Sequence, residues 1–146
     1  MCTFNAFLEE MEKNVLRENL THVAYATGLN RITLIRCFRE NESVPSLSTI
    51  GKLLIFLDWK ITFKLGSQIF ESFNIEEAVR QALSIVNISL LKNKADVVLL
   101  QNFLLEKKSL SLYKVFTLLP KFSFKIEINK PDYQFITEEL DYAVYG

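Results

Sequence analysis

The sequence predicts a mainly α fold made of two tandem helix-turn-helix units, each ending in a short β-strand. Three observations carry that expectation. Apolar residues recur at intervals of three and four through the first part of the chain, the period of amphipathic helices. Gly28 separates two such stretches, at a point where the chain needs a left-handed turn. The order helix, serine-leucine-serine, apolar helix and alternating strand then occurs again about 62 residues later.

The first helical stripe is Phe4, Phe7, Leu8, Met11, Val15 and Leu16, which predicts a helix from about Asn5 to Glu18 with Glu9, Glu10, Glu12 and Lys13 outside. Asn19 or Thr21 can cap a short helix through Thr27, with Val23 and Ala26 inward and the small Ala24 where the next helix approaches. After Gly28, Leu29 plugs the core and Asn30 caps a helix over about Arg31–Glu40 that buries Leu34, Cys37 and Phe38. Residues 41–45 form a loop. Ser46 or Ser48 caps a further helix along Ile50, Leu53, Leu54 and Leu57. From Trp59 to Leu65 apolar and polar residues alternate, the period of a half-buried strand, and Gly66 and Ser67 close the unit.

These residues carry a resemblance. Val23, Ala24, Thr27, Gly28, Leu29, Thr33, Leu34, Arg36, Pro45, Ser46, Leu47, Thr49 and Ile50 follow the pattern of the Xre-type, lambda-repressor-like helix-turn-helix family, closest to its small antidote (antitoxin) members. The likeness covers residues 20–65. Phe38 departs from it, standing where a smaller aliphatic residue is usual. The resemblance implies duplex DNA binding by the second helix of the motif. It also implies that the terminal strand pairs with its twin in a homodimer.

The second copy is worn. Laying Asn30 over Asn93 places RITLIRCF on KADVVLLQ and PSLST on KSLSL; with one-residue slips, KLLIFL lies on KVFTLL and ITFKL on FSFKI. Leu91, Lys94, Asp96 and Leu99 then replace Gly28, Arg31, Thr33 and Arg36. An aspartate and a leucine on a groove-facing side would repel or ignore DNA, so this copy reads as a structural partner. The expected organisation is a DNA-binding unit over 1–66, a degenerate unit over 67–128 and a tail over 129–146. The strands pair with each other as a fused pseudo-dimer, or across a dimer, because a lone strand edge needs covering. The tail, with Glu138, Glu139 and Asp141 among Tyr133, Phe135, Tyr142 and Tyr145, reads as a packed terminal helix rather than a partner-binding arm.

Composition narrows the chemistry. The 146 residues are 49% apolar and 23% charged, a globular balance. Net charge is zero, which argues against a chain-wide nucleic-acid footprint and leaves a local patch. Residues 12–65 hold eight basic and five acidic side chains, against nine and ten in 66–146, and every arginine except Arg80 lies in the first segment. Arginine is the side chain suited to bidentate contact with guanine or phosphate. One histidine, two cysteines without metal-ligand spacing and no glycine-rich phosphate loop leave no catalytic constellation, so neither enzyme activity nor a cofactor or metal is expected. Cys2 and Cys37 read as free thiols, and acidic Glu9 and Glu10 argue against a signal peptide. No apolar run approaches the ~20 residues of a membrane span, so a cytoplasmic protein is expected.

The candidate DNA-binding residues follow from docking geometry, in which the second helix enters the major groove by its N-terminal residues. Arg31 and Thr33 are candidates for base contact, with Arg36 one turn on reaching base or phosphate and Arg39 either contact or solvated. Thr21, Asn30, Ser46 and Ser48 stand at helix starts, where backbone N–H groups favour phosphate. His22 has at most a minor phosphate role. The twelve phenylalanines and five tyrosines read as core filling rather than as a stacking surface for single strands. The expected function is a sequence-specific transcriptional regulator, a repressor of phage or antitoxin type acting on double-stranded DNA, with a homodimer if the operator is palindromic. Its rival is a protein-interaction module on the same scaffold, binding a toxin or another regulator.

Overall fold

The computed structural model describes residues 3–39 and 45–131. Outside them lie Cys2, the loop from Asn41, the helix end at Glu40 and the acidic aromatic tail from Asp132, together with the side chain of Arg39.

Helix α1 (Phe4–Leu16) starts at Thr3, whose hydroxyl accepts the N–H of Ala6 at 3.1 Å, and it buries Phe7, Met11 and Val15. Helix α2 (Leu20–Thr27) starts at Asn19, whose side-chain oxygen accepts the N–H of Thr21 at 2.8 Å. Asn19 is therefore the cap, and Thr21 is an exposed residue of the first turn. The inward stripe of α2 is Leu20, Val23, Ala24 and Thr27, and it leaves Ala26 outside, contrary to expectation. Gly28 closes α2 at φ +75°, its N–H donating to the carbonyl of Ala24. A Cβ built there meets nothing within 4 Å, so the demand for glycine is purely one of backbone conformation. Gly28→Ala should cost about 1–2 kcal/mol of stability, the left-handed penalty, and Gly28→Asn clearly less. Thermal melts of the two variants check this order.

Helix α3 (Arg31–Arg39) buries Leu34 and Cys37 and half-buries Phe38. Helix α4 (Leu47–Leu57) is capped by Ser46, whose hydroxyl accepts the N–H of Thr49 at 3.3 Å, so Ser46 and not Ser48 begins it. Asp58 ends it in the left-handed region, φ 57°. Strand β1 (Lys60–Leu65) follows.

Gly66 and Ser67 do not close a unit. They are the two-residue turn of a hairpin, Gly66 at φ +60°, and the chain returns as β2 (Gln68–Glu71). A two-residue Gly-Ser connection between alternating stretches is a hairpin signal, and it places Gln68–Glu71 as a strand that the expected organisation lacks.

Helix α5 (Ile75–Ser84) is capped by Asn74, then a single 3-10 turn covers Ile88–Leu90. Helix α6 (Lys94–Leu104) is capped by Asn93, and α7 (Leu112–Leu118) by Ser111. A second 3-10 turn, Leu119–Phe122, leads to β3 (Lys125–Asn129).

The protein is thus mainly helical, with a three-stranded antiparallel sheet of order β2-β1-β3. β1 and β3 pair within the chain, Thr62 opposite Glu127 and Phe63 opposite Ile126. The two strands expected to pair with each other do so inside one chain. The pair Thr62 and Glu127 is 65 residues apart, and so is the pair of caps Ser46 and Ser111, which face each other in a short bridge. The capping asparagines Asn30 and Asn93 are 63 apart. The two extra residues enter between the asparagine caps and the serine caps.

One hydrophobic cluster runs through both halves, from Phe7, Val23 and Leu34 to Leu100, Phe103 and Leu118. α1 packs on α7 through Phe7 and Phe116, ring centres 5.5 Å apart, and Phe4 stands edge-on to Tyr113 at 5.3 Å. α4 packs closely on α5: a Cβ on Gly51 would lie 3.4 Å from Cγ2 of Ile75. After β3, Lys130 pairs with Glu10 of α1 at 3.1 Å and holds that carboxyl below its ordinary pKa. Among the described residues, no helix is long and apolar enough to cross a membrane.

Candidate nucleic-acid interface

The face of interest is built by α2, Gly28 and α3. Asn30 fixes the start of α3, its side-chain oxygen accepting the N–H of Thr33 at 2.7 Å. Thr27 ties the turn from the other side: its hydroxyl donates to the carbonyl of Val23 at 2.7 Å and accepts the N–H of Leu29 at 3.2 Å. Both ends of the turn are held by side chains, so α3 leaves α2 in one defined direction.

With Leu34 and Cys37 inward, the outward stripe of α3 is Arg31, Ile32, Ile35 and Arg36. The two arginines bracket two isoleucines, Ile32 64% exposed and Ile35 39%. Thr33 sits at the edge of the stripe, half-buried. Thr21, His22 and Tyr25 line the exposed side of α2, Tyr25 at 89% exposure, and the His22 ring stands edge-on to Phe56 of α4. Tyr25 is no part of the expected site. An aromatic at position 25 falls outside the apolar stripe of α2, and that mismatch was its signal.

The serine candidates lie elsewhere in the fold. Ser46 faces Ser111 across a short antiparallel bridge, and its hydroxyl also donates to Oγ1 of Thr49 at 3.3 Å. Ser48 is exposed and lines a groove with Lys52, Ile55, Phe73 and Glu76. Asn30 and Arg31 therefore adjoin the turn, Thr21 and Arg36 lie further along the exposed sides of α2 and α3, and Ser46 belongs to the junction between the halves.

A small apolar recess of about 100 Å³ opens between α1, α2 and α3, lined by Leu16, Leu20, Leu34, Ile35 and Phe38 with Glu12 at its rim. Cys37 lies beneath α3 at 1% exposure, and burial pushes its thiol up to about 11. Only the thiolate alkylates readily. With Cys2 replaced by serine, iodoacetamide at about pH 8 should leave the native protein unlabelled and label the urea-unfolded chain fully. Mass spectrometry of the two samples checks it.

Among the described residues, no cluster of His, Cys, Asp or Glu could hold a metal ion. No protein-family model, no curated protein and no solved structure matches the chain.

In the second half the expectation about Asp96 is overturned. Asp96 is 7% exposed and accepts from Nζ of Lys114 at 3.2 Å, so it faces inward and cannot repel a ligand of the outer face. Leu99 is half-buried against the core. The cause is the helical phase: Leu100 and Phe103 point into the core, and Asp96, one turn before Leu100, points with them.

Proposed function

We propose that the protein is a sequence-specific DNA-binding regulator that reads the major groove with α3, on a scaffold of two fused helix-turn-helix units. The observation that carries this reading is the capped α2-Gly28-α3 turn with Arg31, Ile32, Ile35 and Arg36 on its outward stripe. An α-helix of this kind fits the major groove by its N-terminal residues, arginine suits guanine or phosphate, and an aliphatic side chain suits the thymine methyl. The fused-unit scaffold is supported by the capping asparagines and serines that recur in both halves, and by the pairing of β1 with β3 inside one chain.

A second reading, a protein-interaction module for a toxin or another regulator, is favoured by the exposed Tyr25 and Ile32 and by the apolar recess between α1, α2 and α3. Binding of the full chain to a pool of randomised duplexes at two salt concentrations separates the two. Duplex reading predicts salt-sensitive binding and an enriched sequence. A pool that returns unenriched, with no salt-sensitive binding, removes duplex reading and leaves the interaction module.

A further inference from the structure

The junction between the two halves obeys one rule. Thr62 faces Glu127 and Ser46 faces Ser111, each pair 65 residues apart. Ile61 faces Ile128 while Phe63 faces Ile126, the same contact with the halves exchanged. The N–H of Leu47 donates to the carbonyl of Leu110 at 3.1 Å, and the N–H of Leu112 to that of Pro45 at 3.0 Å, again an exchanged pair. Asp58 and Ser123, also 65 apart, both lie in the left-handed region, at φ 57° and 72°. α1 lies on α7 as α5 lies on α4.

Reciprocal contacts of this kind belong to a two-fold axis, which passes through the two self-paired positions. α6 packs on α5 and on the 3-10 turn Ile88–Leu90 as α3 packs on α1 and α2, so the exchange that relates the junction extends to the pair α3 and α6. The backbone of a DNA duplex has two-fold symmetry of the same sort, which is why two-headed readers meet it symmetrically.

What α6 offers differs from what α3 offers. With Asp96 turned inward onto Lys114, its outward residues are Lys94, Ala95, Val98 and Gln101, with Lys92 just before them. Between residues 85 and 105 the exposed charges are Lys92 and Lys94, both positive. An ammonium is a point charge that pairs with phosphate and lacks the planar fork that selects guanine.

Resting on the duplex-binding reading, we propose that α6 is a second DNA-contacting head, which holds backbone phosphates through Lys92 and Lys94 and reads little sequence. One chain then occupies one site, and the site is not palindromic: one half is read by α3, the other is held by charge.

The test uses the full chain and a short duplex carrying the sequence it enriches from a randomised pool. Sedimentation of the complex should give one chain per duplex, and the enriched sequence should have one informative half. Lys92→Ala with Lys94→Ala should make the slope of log K against log salt shallower by about 1.8, two phosphate contacts' worth, with the enriched sequence unchanged. Lys92→Glu with Lys94→Glu should weaken binding further, and the fluorescence melt of Trp59 verifies that both variants are folded. Two chains on a palindrome, or an unchanged slope in folded variants, overturns the second head while duplex reading stands. A wild-type chain without salt-sensitive binding overturns both.

Discussion

Phe63→Ala should lower stability by about 3–5 kcal/mol, the usual cost of emptying a buried phenylalanine site. Phe63 has no exposure, sits on the central strand, and faces Phe70 on one side and Ile126 on the other. The loss is a large part of the ~5–15 kcal/mol that holds a typical domain. It should lower the melting temperature by roughly 10–20 °C, at about 3–4 °C per kcal/mol for a chain of this size. Ile69→Ala, by contrast, removes a side chain that is 58% exposed on the outer strand and should cost under ~0.5 kcal/mol. Because the hydrophobic cluster is shared by the two halves, the drop should appear in one transition. Trp59 is the one tryptophan, 6% exposed beside Phe7, so its fluorescence follows the junction while far-ultraviolet dichroism follows all the helices. Coincident midpoints are expected. Separate midpoints would mean that the halves fold independently.

Replacing Arg31 and Arg36 with alanine should have the largest effect on function. An arginine in bidentate contact with a base contributes about 1–3 kcal/mol, and one on a phosphate lowers the salt slope by about one. The double variant should therefore lose much of its affinity for the enriched duplex and relax its base preference, with little change in melting temperature, since both residues are exposed. Titration of a labelled duplex by wild type and variant at fixed salt measures it. An unchanged affinity would take α3 out of the groove.

Much of this was legible in the sequence, for identifiable reasons. The turn was legible because Gly28 and Asn30 each do one local job, a left-handed closure and a cap, which adjacent residues reveal. The pairing of the terminal strands was legible because an alternating strand at the end of a helical stretch has an edge to cover. The register was not. Ser109 and Ser111 both precede leucines in a serine-leucine repeat, and only packing selects Ser111 as the cap opposite Ser46. Nor was the direction of Asp96 legible. Laid over α3 it takes the place of Thr33; the phase of Leu100 and Phe103 turns it inward, and the partner that makes a buried carboxylate tolerable there, Lys114, comes from the next helix. Tertiary contacts, absent from any local window, decided each of those cases. The short hairpin strand β2 is a different matter: Gly66-Ser67 was a visible turn signal, read as an ending.

The measurement that bears most directly on sequence-specific reading by α3 is a ratio. The affinity of the full chain for the duplex it enriches is compared with that for a shuffled duplex of equal length and composition, at one salt concentration near physiological. Charge alone binds the two equally, whereas base readout separates them by about 10³-fold or more. A ratio in that range, collapsing in the Arg31→Ala variant, is the predicted result. Equal affinities would contradict it.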